Sequence, residues 1–339
     1  MNSGRCALVM LVLLLPSTAF CSGADIDYVE GEAWIAEQLG DEYDAQIGDH
    51  IETGDTVNTA SDGYVELAQQ DTIIKISSDT VFSLREKVEE GAKTDVFACV
   101  LGSAQFKIKK LTGRAPEITS NSCAAGVRGT EFTLYAGADG SSLIVVTEGR
   151  VAVQAAGKAV ELAAEEGVEV ELGQPPGEKF KVHRDQIDYQ TWNNEKLSRL
   201  TTDPLGSIER FEQRLNSYLE EIDTRFPVYR EYTVKLAREK EKLKQIEEKE
   251  GKEARTNHYR ETVFPLEVET TYMYLNIRYF SLASLSLRRY VLGRMYLLLK
   301  AQYMATPQDA EYLQFLSKYQ DVLHTYEEKI VPYLVEADL

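Results

Sequence analysis

Residues 123–153 restrict this chain more than any other stretch. The segment Cys123-Ala-Ala-Gly126-Val127-Arg128-Gly129-Thr130 sets Val127 and an arginine between two glycines. Glycine accepts positive φ or close backbone approach, so a sharp turn or bulge is expected between Gly126 and Gly129. Beyond it, Phe132 and Leu134 alternate with Glu131 and Thr133, the period of a half-buried strand. Asp139-Gly140 is a two-residue hairpin signal. Leu143 to Val146 is an apolar, β-branched run, Glu148-Gly149 turns the chain again, and Val151 and Val153 alternate in a third strand. The expected local structure is an antiparallel meander.

The same pattern runs from residue 28 to 183. Val65/Leu67, Phe106/Ile108 and Val168/Val170 alternate with polar neighbours. Turn clusters recur at Gly48-Asp49, Ser61-Asp62-Gly63, Gly113, Gly157 and Gly173. Short strands at this spacing argue for an all-β sandwich or barrel, not a parallel α/β sheet. Gln174-Pro175-Pro176-Gly177 reads as an exit turn, with a last short strand through Phe180 to Val182.

These residues also resemble a family. Val127-Arg128-Gly129-Thr130-x-Phe132, followed by Glu148-Gly149-x-Val151-x-Val153, is similar to the signature of FecR-type domains. Upstream, Gly31-Glu-Ala-Trp34-Ile35 resembles the family's opening strand, and Thr53-Gly54-Asp55 one of its turns. Gly63-Tyr-Val65 and Thr72-Ile73-Ile74 resemble its middle strands, and Gly102-Ser-Ala-Gln-Phe106 the strand before the signature. The resemblance spans roughly residues 28–172. It implies a jelly-roll-like antiparallel β-sandwich. For the best-known members it implies membrane-spanning regulators that relay a signal from an outer-membrane transporter to a sigma factor. The cytoplasmic segment and transmembrane helix of those proteins are not recognisable here, so sigma control is not carried over.

Residues 1–24 read as a secretory leader, with Arg5 in the charged region, an apolar core from Cys6 to Pro16, and small residues at Ser22-Gly23-Ala24. Asp25 is the expected mature start and the periplasm or exterior the expected location. Cys21 offers a rival lipid-anchor reading. It is disfavoured, because bulky Phe20 precedes it and Thr18 stands where leucine is usual. Cys99 and Cys123 then remain in the folded protein. A pair of cysteines in an exported chain suggests a disulfide, worth about 3.5 kcal/mol if it closes; two separate buried thiols are the equal alternative.

From Gln186 the period becomes helical. Helices are expected over 185–202, from Pro204 behind an Asp203 cap, from Pro227, over 266–304, and from Pro307. Residues 238–256, mostly Lys, Glu and Arg, read as a solvated helix end and turn around Gly251. The expected domains are a β-sandwich over 25–183 and a helical bundle over 184–339. Of 19 tyrosines, 15 fall in the helical half, where core packing explains most of them and a peptide or glycan groove a few.

Charge narrows the partners. Residues 25–183 hold 29 acidic and 13 basic side chains, residues 184–339 hold 26 and 23. The β half should repel anionic polymers, which argues against nucleic acid. No membrane-length apolar run is present in the mature chain. The histidines at 50, 183, 258 and 324 are scattered, and no nucleophile, metal or cofactor motif is found. Calcium binding at the Gly-Asp turns is disfavoured, because Asp is common in turns for its local hydrogen bonds. The motif residues Gly126, Val127, Arg128, Gly129, Thr130, Phe132, Glu148 and Gly149 are therefore the candidate site. Arg128 reads first as a structural ion pair, and second as a fork for a partner's carboxylate. The chain is expected to be a non-enzymatic binding or scaffold protein of the envelope, taking a protein or glycan. The rival is a secreted cell-wall glycan hydrolase or glycan-binding protein.

Overall fold

The computed structural model describes residues 23–38, 40–109, 114–127 and 129–336. The leader up to Ser22, the turn at Gly113 and the side chain of Arg128 lie outside the described residues. Strands are numbered along the chain. One layer runs, edge to edge, β4 (His50–Glu52), β1 (Gly23–Glu30), β6 (Tyr64–Gln69), β7 (Thr72–Ile76), β9 (Ala92–Ile108), β12 (Thr130–Ala136), β13 (Ser142–Glu148), β16 (Glu166–Val170) and β17 (Phe180–Lys181). The second runs β3 (Glu42–Asp44), β2 (Ala33–Ala36), β5 (Thr56–Thr59), β8 (Val81–Glu89), β9 again, β10 (Glu117–Thr119), β11 (Ala124–Val127), β14 (Arg150–Ala155) and β15 (Lys158–Ala163). Every pairing is antiparallel except β9 with β10. Successive hairpins alternate between the layers, as in a jelly roll, and the expected sandwich is what the chain forms.

The two layers share β9. Residues 92–101 pair with β8 in the second layer, and 102–108 pair with β7 and β12 in the first. Gly102 is the hinge, at φ +93. A side chain there would stand 2.5 Å from the Thr80 Cα, a distance real Cβ atoms do not tolerate.

Period two decides which residues enter the core. Leu67, Ile74, Phe106, Phe132, Leu134 and Ile144 point inward from the first layer, Ile35, Val57, Phe82, Phe97, Val151 and Val153 from the second. The Phe106 and Phe132 rings stack at 5.1 Å. Cys99 and Cys123 both lie in this core as free thiols, so no disulfide forms. The Cys123 sulfur sits 3.3 Å from the Ser120 hydroxyl, while that of Cys99 lies 3.8 Å from the Leu101 carbonyl. Burial pushes both thiols up, and the separate-thiol alternative is the one observed.

Helices follow: α1 (Tyr189–Thr202), α2 (Pro204–Glu250), α3 (Lys252–His258), α4 (Phe264–Leu287), α5 (Gly293–Gln302), α6 (Ala310–Lys329) and α7 (Val331–Glu336). Asp203 caps α2 as expected, accepting from the Gly206 N–H. Pro227 does not open a helix; it lies inside α2. Proline removes one interior hydrogen bond and crowds the preceding turn, but α2 is held on both sides of it. Ile208, Phe211, Leu215 and Leu219 are buried before it, and Phe226 and Tyr229 pack into the same core, Phe226 against Tyr333 at 4.5 Å. The helix expected over 266–304 belongs to a longer rod, because α3, α4 and α5 continue into one another through π turns at Tyr259–Val263 and Arg288–Leu292. The helix expected from Pro307 is α6, which begins behind Asp309, whose carboxylate caps it. Stacked tyrosines join the rod to α6, with Tyr296 on Tyr319 at 4.8 Å and Tyr303 on Tyr312 at 5.0 Å.

Helices cover parts of both layers. Tyr135, Leu143 and Val145, on the outer face of the first, pack with Ile187, Tyr189 and Trp192. The outer face of β8 lies under α4, where the Asn276 side chain donates to the Val88 carbonyl (3.0 Å) and accepts from its N–H (2.8 Å). That one amide bonds the strand at Val88, beyond Val81–Ser83 where β5 pairs with it.

Candidate functional site

The motif residues meet where the chain changes layer. β11 ends at Val127 in the second layer and β12 begins at Thr130 in the first, so Gly129, at φ +63, carries the crossing. β13 ends at Glu148 in the first layer and β14 begins at Arg150 in the second; Gly149, at φ +86, carries the return. The crossings are stacked, since a side chain on Gly149 would stand 2.6 Å from the Gly129 carbonyl. Val127, Thr130 and Phe132 are buried, while Glu148 is exposed. Gly126 is not part of the turn. It pairs within β11, and a Cβ there would find only the Ala152 carbonyl, at 3.9 Å. Of the described residues in the span Gly126–Gly129, where a sharp bend is expected, Gly126 and Val127 are regular strand and Gly129 has positive φ.

These residues therefore build a double crossover. Whether Arg128 pairs with a neighbour lies outside the described residues. Among the described residues, no three His, Cys, Asp or Glu side chains are grouped to hold a metal ion. No described helix is long and apolar enough to cross a membrane.

A concave site does exist, one layer away from the motif. Trp34, Asn58, Ser83 and Arg85 project from the outer face of β2, β5 and β8, and Leu282, Leu285, Ser286, Arg289 and Tyr290 roof them from α4 and the π turn behind it. Between them lies a cavity of about 430 Å³. It continues toward a second of about 400 Å³, which shares Trp34, Asn58 and Val81 and reaches Arg294. Arg85 is 8% exposed. Its guanidinium donates to the Ser286 hydroxyl at 2.6 Å, and burial lowers its affinity for the proton, opposed only by nearby tyrosines. Sequence reading passed over Arg85 because Arg85-Glu-Lys87 looks like the solvated end of a strand. The available signal was the adjacent run Val96-Phe-Ala-Cys-Val-Leu101, apolar at consecutive positions, which is the mark of a strand covered on both faces.

The chain is thus a two-layer β domain with stacked glycine crossings, followed by a helical rod. The family model described as FecR protein matches residues 55–152, so the chain contains a FecR domain; the match lies within the 28–172 span that the sequence pattern suggested. Two solved structures described as a "putative anti-sigma factor" from Parabacteroides distasonis, at 1.65 and 2.50 Å, are similar at 15% and 16% identity, with TM-scores of 0.34 and 0.33. They cover 40% and 39% of this chain, which spans 63% and 61% of theirs. No curated protein matches.

Proposed function

We propose that this protein is an exported, non-enzymatic binding or scaffold protein of the bacterial envelope, whose FecR domain engages a protein partner in signalling or surface assembly. The observation that carries the reading is the FecR match over residues 55–152. The leader-like residues 1–24 support export, and the acidic balance of residues 25–183 supports a protein or neutral glycan over a polyanion. Glu148, exposed at the end of β13, is the charged motif residue that the structure describes.

The test is capture of partners from envelope extracts by the tagged mature chain, identified by mass spectrometry, beside a zymogram on peptidoglycan. One envelope protein enriched reproducibly, with no clearing of the gel, is expected. A clearing band that tracks the purified protein would replace this reading with the glycan-hydrolase one.

A further inference from the structure

The cavity between the second layer and α4 holds a positive charge that the protein itself does not neutralise. Among the described residues no carboxylate lies within 4 Å of Arg85 or of Arg289. A guanidinium does not shed its proton in a protein, and a buried charge without a counter-charge is costly enough that residues of this kind are almost always paired. Packing alone does not explain Arg85, since an apolar side chain of similar length would fill the same space at less cost. The remaining lining is mixed. Leu282 and Leu285 offer an apolar wall and Trp34 an aromatic one, while Asn58 and Ser83 supply hydrogen-bonding groups. Glu37 and Glu42 line the cavity too, but from exposed positions on the β2–β3 hairpin, where solvent screens them.

We infer that this cavity is a binding site for a small carboxylate carried on an apolar body, with Arg85 as the anchor for the carboxylate and Leu282, Leu285 and Trp34 as the wall for the body. The planar guanidinium matches a carboxylate with two parallel hydrogen bonds. The volume falls within the range of ordinary small-molecule pockets. The two exposed glutamates at the opening work against a ligand of higher negative charge, so a monoanion is favoured over a di- or trianion. This inference stands apart from the proposed function: the site lies on β8 and α4, not at the motif crossings.

Trp34 borders the cavity, and the only other tryptophan, Trp192, packs at the first layer. Binding should therefore change intrinsic fluorescence. The full-length mature protein is titrated with 4-methylpentanoate, as a free acid, and with N-acetyl-leucine, as a mimic of a peptide C-terminus; N-acetylleucinamide is the uncharged control. A saturable change with one or both acids, absent with the amide and at least about tenfold weaker in Arg85→Met, is expected. Saturation by 4-methylpentanoate alone assigns the site to free acids, and saturation by N-acetyl-leucine alone assigns it to chain termini. Arg85→Met should keep or raise the melting temperature, since it removes a buried charge; a purely structural arginine would lower it. Arg289→Gln, nearer the solvent, should weaken binding without changing the melt. No response to either acid, an equal response to the amide, or full binding by Arg85→Met would overturn the inference.

Discussion

Substituting Gly102 by alanine tests whether the shared strand organises the β domain. Two costs add. Positive φ at a non-glycine residue costs on the order of 1–3 kcal/mol, and Gly102 sits at φ +93. The new Cβ would also stand 2.2 Å from the Thr80 hydroxyl and 2.5 Å from its Cα, so Thr80 must move. That hydroxyl accepts from the Ser103 N–H at 3.0 Å, and the Thr80 backbone bonds Thr59 in both directions, each at 3.0 Å. Weakening two or three hydrogen bonds at about 1 kcal/mol each brings the expected loss to roughly 3–6 kcal/mol, a large part of a typical domain's stability. Urea unfolding followed by circular dichroism reads it as a lower midpoint at unchanged slope. Gly157→Ala is the control: Gly157 has φ +73 but nothing within 4 Å of a Cβ, so only about 1–2 kcal/mol of conformational cost is expected. If Gly102→Ala is no worse than Gly157→Ala, the close approach to Thr80 is not what holds the bend.

Gly129→Ala, at φ +63, should lose about 1–3 kcal/mol by the same assay, and Gly126→Ala, in open strand, less than about 1 kcal/mol; equal losses would remove the distinction drawn between them. A chain ending at His183 bares Arg85, Tyr135, Leu143 and Val145, so it should melt at lower temperature and bind a hydrophobic dye, whereas a sharp native-like melt would show that the sandwich folds alone. Glu166 is held down to about 2, first by the Ala163 N–H and then by Lys179. Its folded value lies below its ordinary 4.5, so its stabilisation is present above that pH and fades as pH falls toward 2. Glu166→Gln should thus flatten the stability profile in that window, and an unchanged profile would contradict the assignment. Intact mass of the exported protein should place Asp25 first; retention of Ala24, which is buried opposite Ile51 in β1, would move the processing site upstream.

Much of the sandwich could be read from alternation. Val65/Leu67 and Val151/Val153 declare one buried face each, and both pairs point inward. What alternation cannot say is which layer a strand joins, because both layers use the same period; the passage of β9 between them rests on a backbone angle at Gly102. Leu143 to Val146 read only as a β-branched run, yet all four are buried, two facing the core and two the cluster under α1. Covered on both faces, such a strand loses its alternation. Pro227 misled because local propensity is a weak guide once neighbours hold a helix from two sides. The cavity at Arg85 joins residues some two hundred positions apart, and no local pattern foretells such a meeting.

The central place of β9 also bears on how the chain is assembled in time. In both layers, every strand made before β9 lies on one side of it and every strand made afterwards on the other. A nascent chain that has emerged only as far as Ile108 can build half of each layer and no more. Its newest strand then presents two open edges, residues 102–108 waiting for β12 and residues 96–98 waiting for β10. Open strand edges pair with whatever strand arrives first. An interrupted or slowly delivered chain would therefore expose its most adhesive surface in the middle of its own synthesis, and holding it unfolded until residue 136 has emerged avoids that hazard.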